Sequence, residues 1–256
     1  MTSLFHDIIF GPIHSRRLGL SLGVNLLPTE SKLCSFDCIY CECGWNADHA
    51  GQRRFNRRAD VARLLEQTLQ QMVAASTPPD VITFAGNGEP TLHPEFEEII
   101  DDTIALRDRL CPTAKISVLS NATQLGRGAV RRALLRVDNN ILKLDSAFDQ
   151  TVRLINNPAG NYTVAETVHN MQFFKGQLII QTMFLRGECN GVPVDNTIEA
   201  EVSAWLKLLD TIRPRQVMVY SLDRDTPCPT LAKVSHEELQ ALAARVEALG
   251  IACSVA

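Results

Sequence analysis

A chain of 256 residues, 45% hydrophobic and 21% charged, with a net charge of −4 at pH 7, can bury a substantial core and does not have the composition of a disordered segment. No run approaches the ~18 consecutive apolar residues of a membrane span, and the mild acidic excess leaves no broad basic face for nonspecific nucleic-acid binding. The start, MTSLFHDIIF, lacks a basic leader and carries Asp7, so no secretory signal is expected; eight cysteines, three of them within eight residues, fit a reducing, cytoplasmic setting.

Strands and amphipathic helices alternate along the chain. Gly19 to Leu27 reads as a first strand leading into the cysteine-rich loop. Arg53, Arg54, Arg57 and Arg58 follow, either a solvated helix start or a dock for an anionic substrate. Ala59 to Val73 places Val61, Leu64, Leu65, Leu69 and Met72 on one helical face. Val81 to Ala85 is a short buried strand. Pro94 then opens a helix whose Glu95, Glu97 and Glu98 suit the positive end of the dipole, with Phe96, Ile99, Ile100 and Ile104 as its apolar face. Lys115 to Leu119 is a strand, Gly128 to Val137 a helix and Asn140 to Leu144 a strand. Thr163 and Glu166 form a capping-box pair for a helix running to about Phe174. Leu178 to Phe184 is the fifth strand, followed by a long loop from Arg186 to Asn196. Asn196 begins a helix buried through Ile198, Val202, Trp205, Leu206 and Leu209, and Gln216 to Ser221 is the sixth strand. Ser235 and Glu238 cap a last helix through Leu239, Leu242, Val246 and Leu249, which Gly250 ends before a terminal strand, Ile251 to Val255.

Six strand–helix units in series require parallel strands with right-handed crossovers, hence an α/β fold that is a closed or partial barrel or a doubly wound sheet. No internal repeat or low-complexity linker interrupts 1–256, which reads as one domain: 1–28 as extension and first strand, 29–58 as the cysteine loop, 59–256 as the remaining units.

Polar residues recur at the same end of these strands. Gly86, Asn87, Gly88, Glu89 and Pro90 follow the second strand, Ser120 and Asn121 the third, Asp145 and Ser146 the fourth. Gln181 and Met183 close the fifth, and Tyr220 to Arg224 leave the sixth. Barrel active sites gather on such loops. The glycines let backbone approach a ligand, and Glu89 is placed to pair with an ammonium or to brace its loop. Asn121 and Asp145 carry donors and acceptors for ribose or an amino-acid carboxylate.

The cysteine loop, CSFDCIYC, sets Cys34, Cys38 and Cys41 at C-x3-C-x2-C spacing, with Tyr40 offering a flat face for an adenine. Three thiolates hold three irons of a cubane and leave the fourth iron open, whereas a closed cluster takes four cysteines. A structural zinc completed by Cys43 or a distant ligand, or a disulfide framework, are the other readings of the same spacing. Cys43, Cys111, Cys189, Cys228 and Cys253 are too scattered for a second cluster and read as free thiols. Pro227-Cys228-Pro229 would set one of these at the barrel mouth.

C-x3-C-x-aromatic-C resembles the signature of the radical S-adenosylmethionine (SAM) enzymes. TFAGNGEPTLHPEF resembles that superfamily's Gly-Gly-Glu-type motif, with Asn87 splitting the glycine pair. FGPIHSRRLGLSLGVNLLP before CSFDCIYCE, with KLDS and QTMFLRG, is similar to a group of small Fe–S oxidoreductases related to wyosine-type tRNA-modifying enzymes. The resemblance implies a partial (β/α)6 barrel and a [4Fe–4S] cluster on Cys34, Cys38 and Cys41. It further implies SAM held by Tyr40, Gly86, Asn87, Gly88, Glu89, Ser120, Asn121, Asp145, Gln181 and Met183. Its chemistry is reductive cleavage of SAM to methionine and a 5′-deoxyadenosyl radical that takes a hydrogen atom from substrate. A low-potential donor of the flavodoxin or ferredoxin type would supply the electrons. Arg16, Arg17, Arg186 and Arg224 are the candidates for contacting an anionic small-molecule or nucleotide substrate. The competing readings are an activase that installs a glycyl radical on a partner protein and a non-catalytic zinc-binding regulator. A tRNA partner is not favoured, because no RNA-binding domain is visible.

Overall fold

The computed structural model describes residues 4–15, 19–49, 51 and 54–256. Ile9–Ser15 (β1) pairs antiparallel with Gly19–Val24 (β2), with an irregular register between Phe10 and Ile13. The single first strand expected from Gly19 to Leu27 is therefore corrected to a two-stranded ribbon ending at Val24. Gly11-Pro12 imitates a turn in the sequence, yet proline is tolerated on an edge strand, and β1 is one.

The chain then alternates through helix Arg58–Ala74 (α1), strand Val81–Phe84 (β3), a 3-10 turn at Pro90–Leu92 and helix Phe96–Leu110 (α2). Pro94 does not open α2. His93 accepts the Glu95 N–H through Nδ1 at 3.1 Å, so the helix starts two residues later than the proline. Strand Lys115–Ser120 (β4), helix Gly128–Leu134 (α3) and strand Asn139–Lys143 (β5) follow. Helix Asp149–Asn156 (α4) is absent from the sequence reading, because eight residues are too few for a periodic signal to stand out. Helix Val164–Gln172 (α5) has Thr163 accepting from the Glu166 N–H, one half of the expected capping box.

Strand Ile179–Met183 (β6) leads into Leu185–Cys189 (β7) and Val192–Asp195 (β8), an antiparallel hairpin turned by Asn190-Gly191, both at positive φ. The expected long loop from Arg186 to Asn196 is this hairpin. Helix Glu199–Ile212 (α6) starts three residues after Asn196, whose side chain instead accepts the Leu185 N–H and donates to the Asp145 and Met183 carbonyls. Strand Gln216–Tyr220 (β9), short strand Leu231–Lys233 (β10), helix His236–Glu247 (α7) with its complete Ser235–Glu238 capping box, and strand Ala252–Val255 (β11) end the chain.

The main sheet runs β1-β2-β3-β4-β5-β6-β9-β11, parallel from β2 onward, while β10-β7-β8 form a separate antiparallel sheet. This is a partial (β/α) barrel. Side chains alternate between its faces. Leu142, Ile180, Val217 and Val219 face the helices and join the large core with Leu65, Phe96 and Trp205, whereas Ile141, Ile179 and Met218 form a small inner cluster backed by Leu119. Trp205 meets Phe184 edge-on with centroids 5.2 Å apart, and its indole N–H donates to Thr182 at 3.1 Å. On the same alternation, Lys143 and Asp145 continue the inner face of β5 above Ile141. Among the described residues no helix is long and apolar enough to cross a membrane.

Candidate functional site

The cysteine loop is fixed to the strand ends mainly through backbone. Leu33 bridges Gly88: its N–H donates to the Asn87 carbonyl at 2.9 Å, and its own carbonyl accepts the Glu89 N–H at 3.1 Å. Gly88 has φ +139, and a Cβ there would lie 1.9 Å from the Leu33 oxygen, so only glycine fits. Farther along, the Asp37 and Ile39 N–H groups donate to the carbonyls of Asn156 and Ile155 at 2.8 and 3.0 Å. These are two of the carbonyls that the C-terminal end of a helix leaves unpaired, so α4 supplies the other anchor of the loop.

Each of the first two cysteines receives a donor. Cys34 Sγ accepts from the Phe36 N–H at 3.4 Å and Asn121 Nδ2 at 3.6 Å; Cys38 Sγ accepts from Asn156 Nδ2 at 3.4 Å. Burial pushes both thiols up, Cys38 to about 11. Cys41 is held below the usual thiol value by its hydrogen bond with Cys43 and by the Lys32 ammonium, and the same bond raises Cys43. Cys43 also reaches the Gly86 carbonyl at 3.7 Å, which lays the glycine loop against the cysteine loop. Lys32 is buried, yet Cys41, Cys34 and Asp37 hold its ammonium above the ordinary lysine value against the effect of burial.

Two buried carboxylates organise the strand ends. Glu89 Oε1 accepts from the Thr91 N–H at 3.0 Å, Thr91 Oγ1 at 2.5 Å and Ser120 Oγ at 2.9 Å, while Oε2 accepts the Asn121 N–H at 2.6 Å. Burial pushes this carboxyl up and its four donors oppose the shift. Of the two tasks expected for Glu89, the structure shows the brace. Asp145 Oδ1 accepts the Met183 N–H at 2.9 Å, and Oδ2 accepts Tyr40 Oη at 2.5 Å and Asn156 Nδ2 at 2.7 Å. Lys143 Nζ lies 3.7 Å from Asp145, donates to Tyr220 Oη at 3.0 Å and sits 5.2 Å from the Tyr40 ring centroid. Burial opposes the Lys143 charge, but Asp145 and Tyr220 hold its pKa well above the usual lysine value.

The expected site residues thus gather at one end of the barrel. Cys34, Cys38, Cys41, Tyr40, Gly86, Gly88, Glu89, Ser120, Asn121, Asp145 and Met183 lie on the loops or last residues of β2 to β6, and Gln181 lies in the middle of β6. Gln181 is opposite Lys143 and Met218 in the register. Asn87 is set apart. Its side chain accepts the Phe5 N–H and donates to the Phe5 and Pro28 carbonyls, each at 2.8 Å, so it ties the N-terminal segment to the glycine loop. Arg186 is engaged by Glu238 at 2.6 Å and Thr197 at 3.2 Å. Arg224 pairs with Glu42, beside Cys41, at 2.8 Å and lines a cavity of about 680 Å³ with Trp45, Asp48, Asp223 and Lys233. Arg16, Arg17 and Arg53 lie outside the described residues. Cys189 and Cys228 are joined as a disulfide with Cα atoms 5.5 Å apart, which corrects their reading as free thiols. Two residues distant in sequence meet there because β10 pairs with β7. Cys34, Cys38, Cys41, Cys43, Cys111 and Cys253 are free.

Sequence reasoning did not single out Lys32, Lys143 or Asn156. The strand alternation Ile141, Lys143, Asp145 signals Lys143; Asn156 has no local signal, because it depends on the unforeseen α4.

The donor set fits an iron–sulfur cluster. Softly basic sulfurs are the ligands such clusters take, and here two of them meet N–H donors while the third lies by a buried ammonium. Asn25 adds an orphaned donor. Its Oδ1 accepts the Leu27 and Asn87 N–H groups, its Nδ2 has no partner among the described residues, and a Cβ on Gly86 would come within 2.5 Å of its Oδ1.

Comparison with known proteins bears on the family and the fold. Residues 31–190 match the model of the Radical SAM superfamily. A UPF0026 protein of Synechocystis is 34% identical over 224 residues, which cover 86% of this chain and 77% of that protein. A radical SAM methyltransferase from Sphaerobacter thermophilus shares the fold with a TM-score of 0.68 at 15% identity, across 92% of this chain and 65% of that one. Archaeal TYW1 shares it with a TM-score of 0.54 at 12% identity, across 89% of this chain and 71% of that one.

Proposed function

This chain belongs to the radical SAM superfamily, and from that premise we propose that Cys34, Cys38 and Cys41 hold a [4Fe–4S] cluster with one iron open to SAM. The substrate in this reading is a small molecule or nucleotide of anionic character, from which the enzyme removes a hydrogen atom. When bound, the cluster and SAM supply the 5′-deoxyadenosyl radical that performs this abstraction. The observation that carries the reading is the wiring of the thiols: Asn121 and Asn156 donate N–H groups to Cys34 and Cys38, and the Cys43 hydrogen bond with the Lys32 ammonium holds Cys41 below the usual thiol value.

The chain's own residues bind and orient. The glycine loop at 86–88 is the proposed seat for the amino-acid end of SAM, held in place by Gly88 packing and by the Glu89 brace. Ser120, Asn121, Gln181 and Met183 line the remaining wall in this reading. Tyr40 and Asp145 act as a rigid pair, because the short bond between them fixes the ring beside Cys38. Arg224 at the mouth remains the proposed substrate contact among the described arginines. A cytoplasmic location and a low-potential flavodoxin- or ferredoxin-like donor belong to the same proposal, since reductive cleavage of SAM needs an electron from such a donor.

Anaerobic reconstitution with iron and sulfide tests it. The expected protein is brown, binds about four irons per chain and gives methionine and 5′-deoxyadenosine from SAM under reductant. A colourless protein that carries one zinc and forms no deoxyadenosine would overturn the proposal.

A further inference from the structure

Lys32 is a buried cation in a loop built around thiols. Its side chain is 1% exposed, and Nζ donates to the Gly44 carbonyl at 2.6 Å and to Asp37 at 3.2 Å. The bridge between Leu33 and Gly88 fixes the chain at this point, and strand alternation puts Lys32 and Cys34 on the same side of it. Gly44 closes the turn that begins at Cys41, since its N–H donates to the Cys41 carbonyl at 2.9 Å. One ammonium therefore joins the beginning, middle and end of the cysteine loop. For stability alone this is a poor use of a buried position, because an apolar side chain of similar shape often does as well as a buried ion pair. A charge in this place acts on its anionic neighbours.

We infer that Lys32 is a positioning residue that sets the reduction potential of the cluster, by keeping a positive charge, only partly countered by Asp37, buried beside Cys34 and Cys41. The inference rests on the cluster reading above. Reduction adds one electron to an already anionic cluster, and cluster potentials respond to nearby charge and to hydrogen bonds at sulfur. A fixed cation favours the reduced form, and a carboxylate against that cation weakens the effect. The two neighbours therefore have opposite signs.

The test is an anaerobic redox titration of the reconstituted full chain, read as the electron paramagnetic resonance signal of the reduced cluster. At the potential that half-reduces the wild type, Lys32→Met should lower the reduced-to-oxidised ratio about tenfold, equal to about 59 mV for one electron. Asp37→Asn should raise that ratio by about threefold. Lys32→Arg, which keeps the charge, should titrate close to the wild type. A purely structural role would move the Met and Asn variants together, by loss of iron, and would not separate them by sign. Where Lys32→Met fails to hold iron, Asp37→Asn decides: an unchanged or lowered ratio overturns the inference, as does loss of iron from both variants. A wild type that assembles its cluster while both variants keep its midpoint overturns the inference alone. A wild type that binds no iron and sulfide overturns the cluster reading and this inference with it.

Discussion

Glu89 and Asp145 hold matching places, each buried beyond the end of a parallel strand and each near a different cysteine, but their surroundings differ. Glu89 is met by neutral donors, two backbone N–H groups and two hydroxyls, and reaches Cys34 through Asn121. Asp145 has a lysine 3.7 Å away, a tyrosine at 2.5 Å and an asparagine that also touches Cys38. The first corner shapes backbone. The second holds charge in a fixed arrangement, with Lys143 lying by two tyrosine rings. One side of the cysteine loop is thus kept in place by geometry and the other by electrostatics, so the two corners should fail differently when altered.

The largest effect erases the comparison itself. Cys34→Ala, Cys38→Ala or Cys41→Ala should each abolish SAM cleavage and strip most of the iron, measured by deoxyadenosine yield and iron content, while circular dichroism stays native. Asp145→Asn comes next. It leaves Lys143 buried without its anion, a change expected to cost about 3–5 kcal/mol in denaturant unfolding. Adding Lys143→Met should recover part of that loss, and the double-mutant cycle would give a coupling well above zero. Glu89→Gln should cost about 2 kcal/mol, since charge-assisted bonds weaken and one acceptor becomes a donor facing other donors. No lysine change should rescue it, and rescue by Lys143→Met would show that the corners are not independent. The smallest pair is Asn156→Ala against Asn121→Ala. Asn156 bonds Cys38, Tyr40 and Asp145 in the buried interior, whereas Asn121 bonds Cys34, Ser35 and Thr123 at partly buried positions where water can replace a lost bond. Loss of Asn156 should therefore cost about 2 kcal/mol against about 1 kcal/mol for Asn121. Equal costs would erase the distinction between the corners.

Much of this was legible in the residues. The strands from Val81 to Tyr220 follow from short β-rich runs and their parallel sense from right-handed crossovers, whereas the choice between barrel and doubly wound order comes from the sheet itself and from the family resemblance. Ser120, Asn121 and Asp145 were found because polar residues recur at one end of successive strands. What was hidden depends on pairing over distance. Gly-Pro hides the strand at Ile9, and the segment after Leu185 reads as a loop although Asn190-Gly191 is a hairpin signal. Asn156 could not be placed without α4, and the Cys189–Cys228 pairing follows only once β10 is laid beside β7. Lys32 carries no local signal, because nothing in the neighbouring residues shows that Gly44 and Asp37 fold over it.

The amide of Asn87 grips both backbone groups of Phe5 and does so from inside the glycine loop. A shortened start, or a purification tag fused so close that Phe5 is pulled away, would strand a buried carboxamide and loosen the ledge against which the cysteine loop rests. Damage at Phe5 would then be recorded, by way of Asn87, as poor iron loading at Cys34, Cys38 and Cys41, and restoring the segment around Phe5 would be the remedy to try before any change at the cysteines.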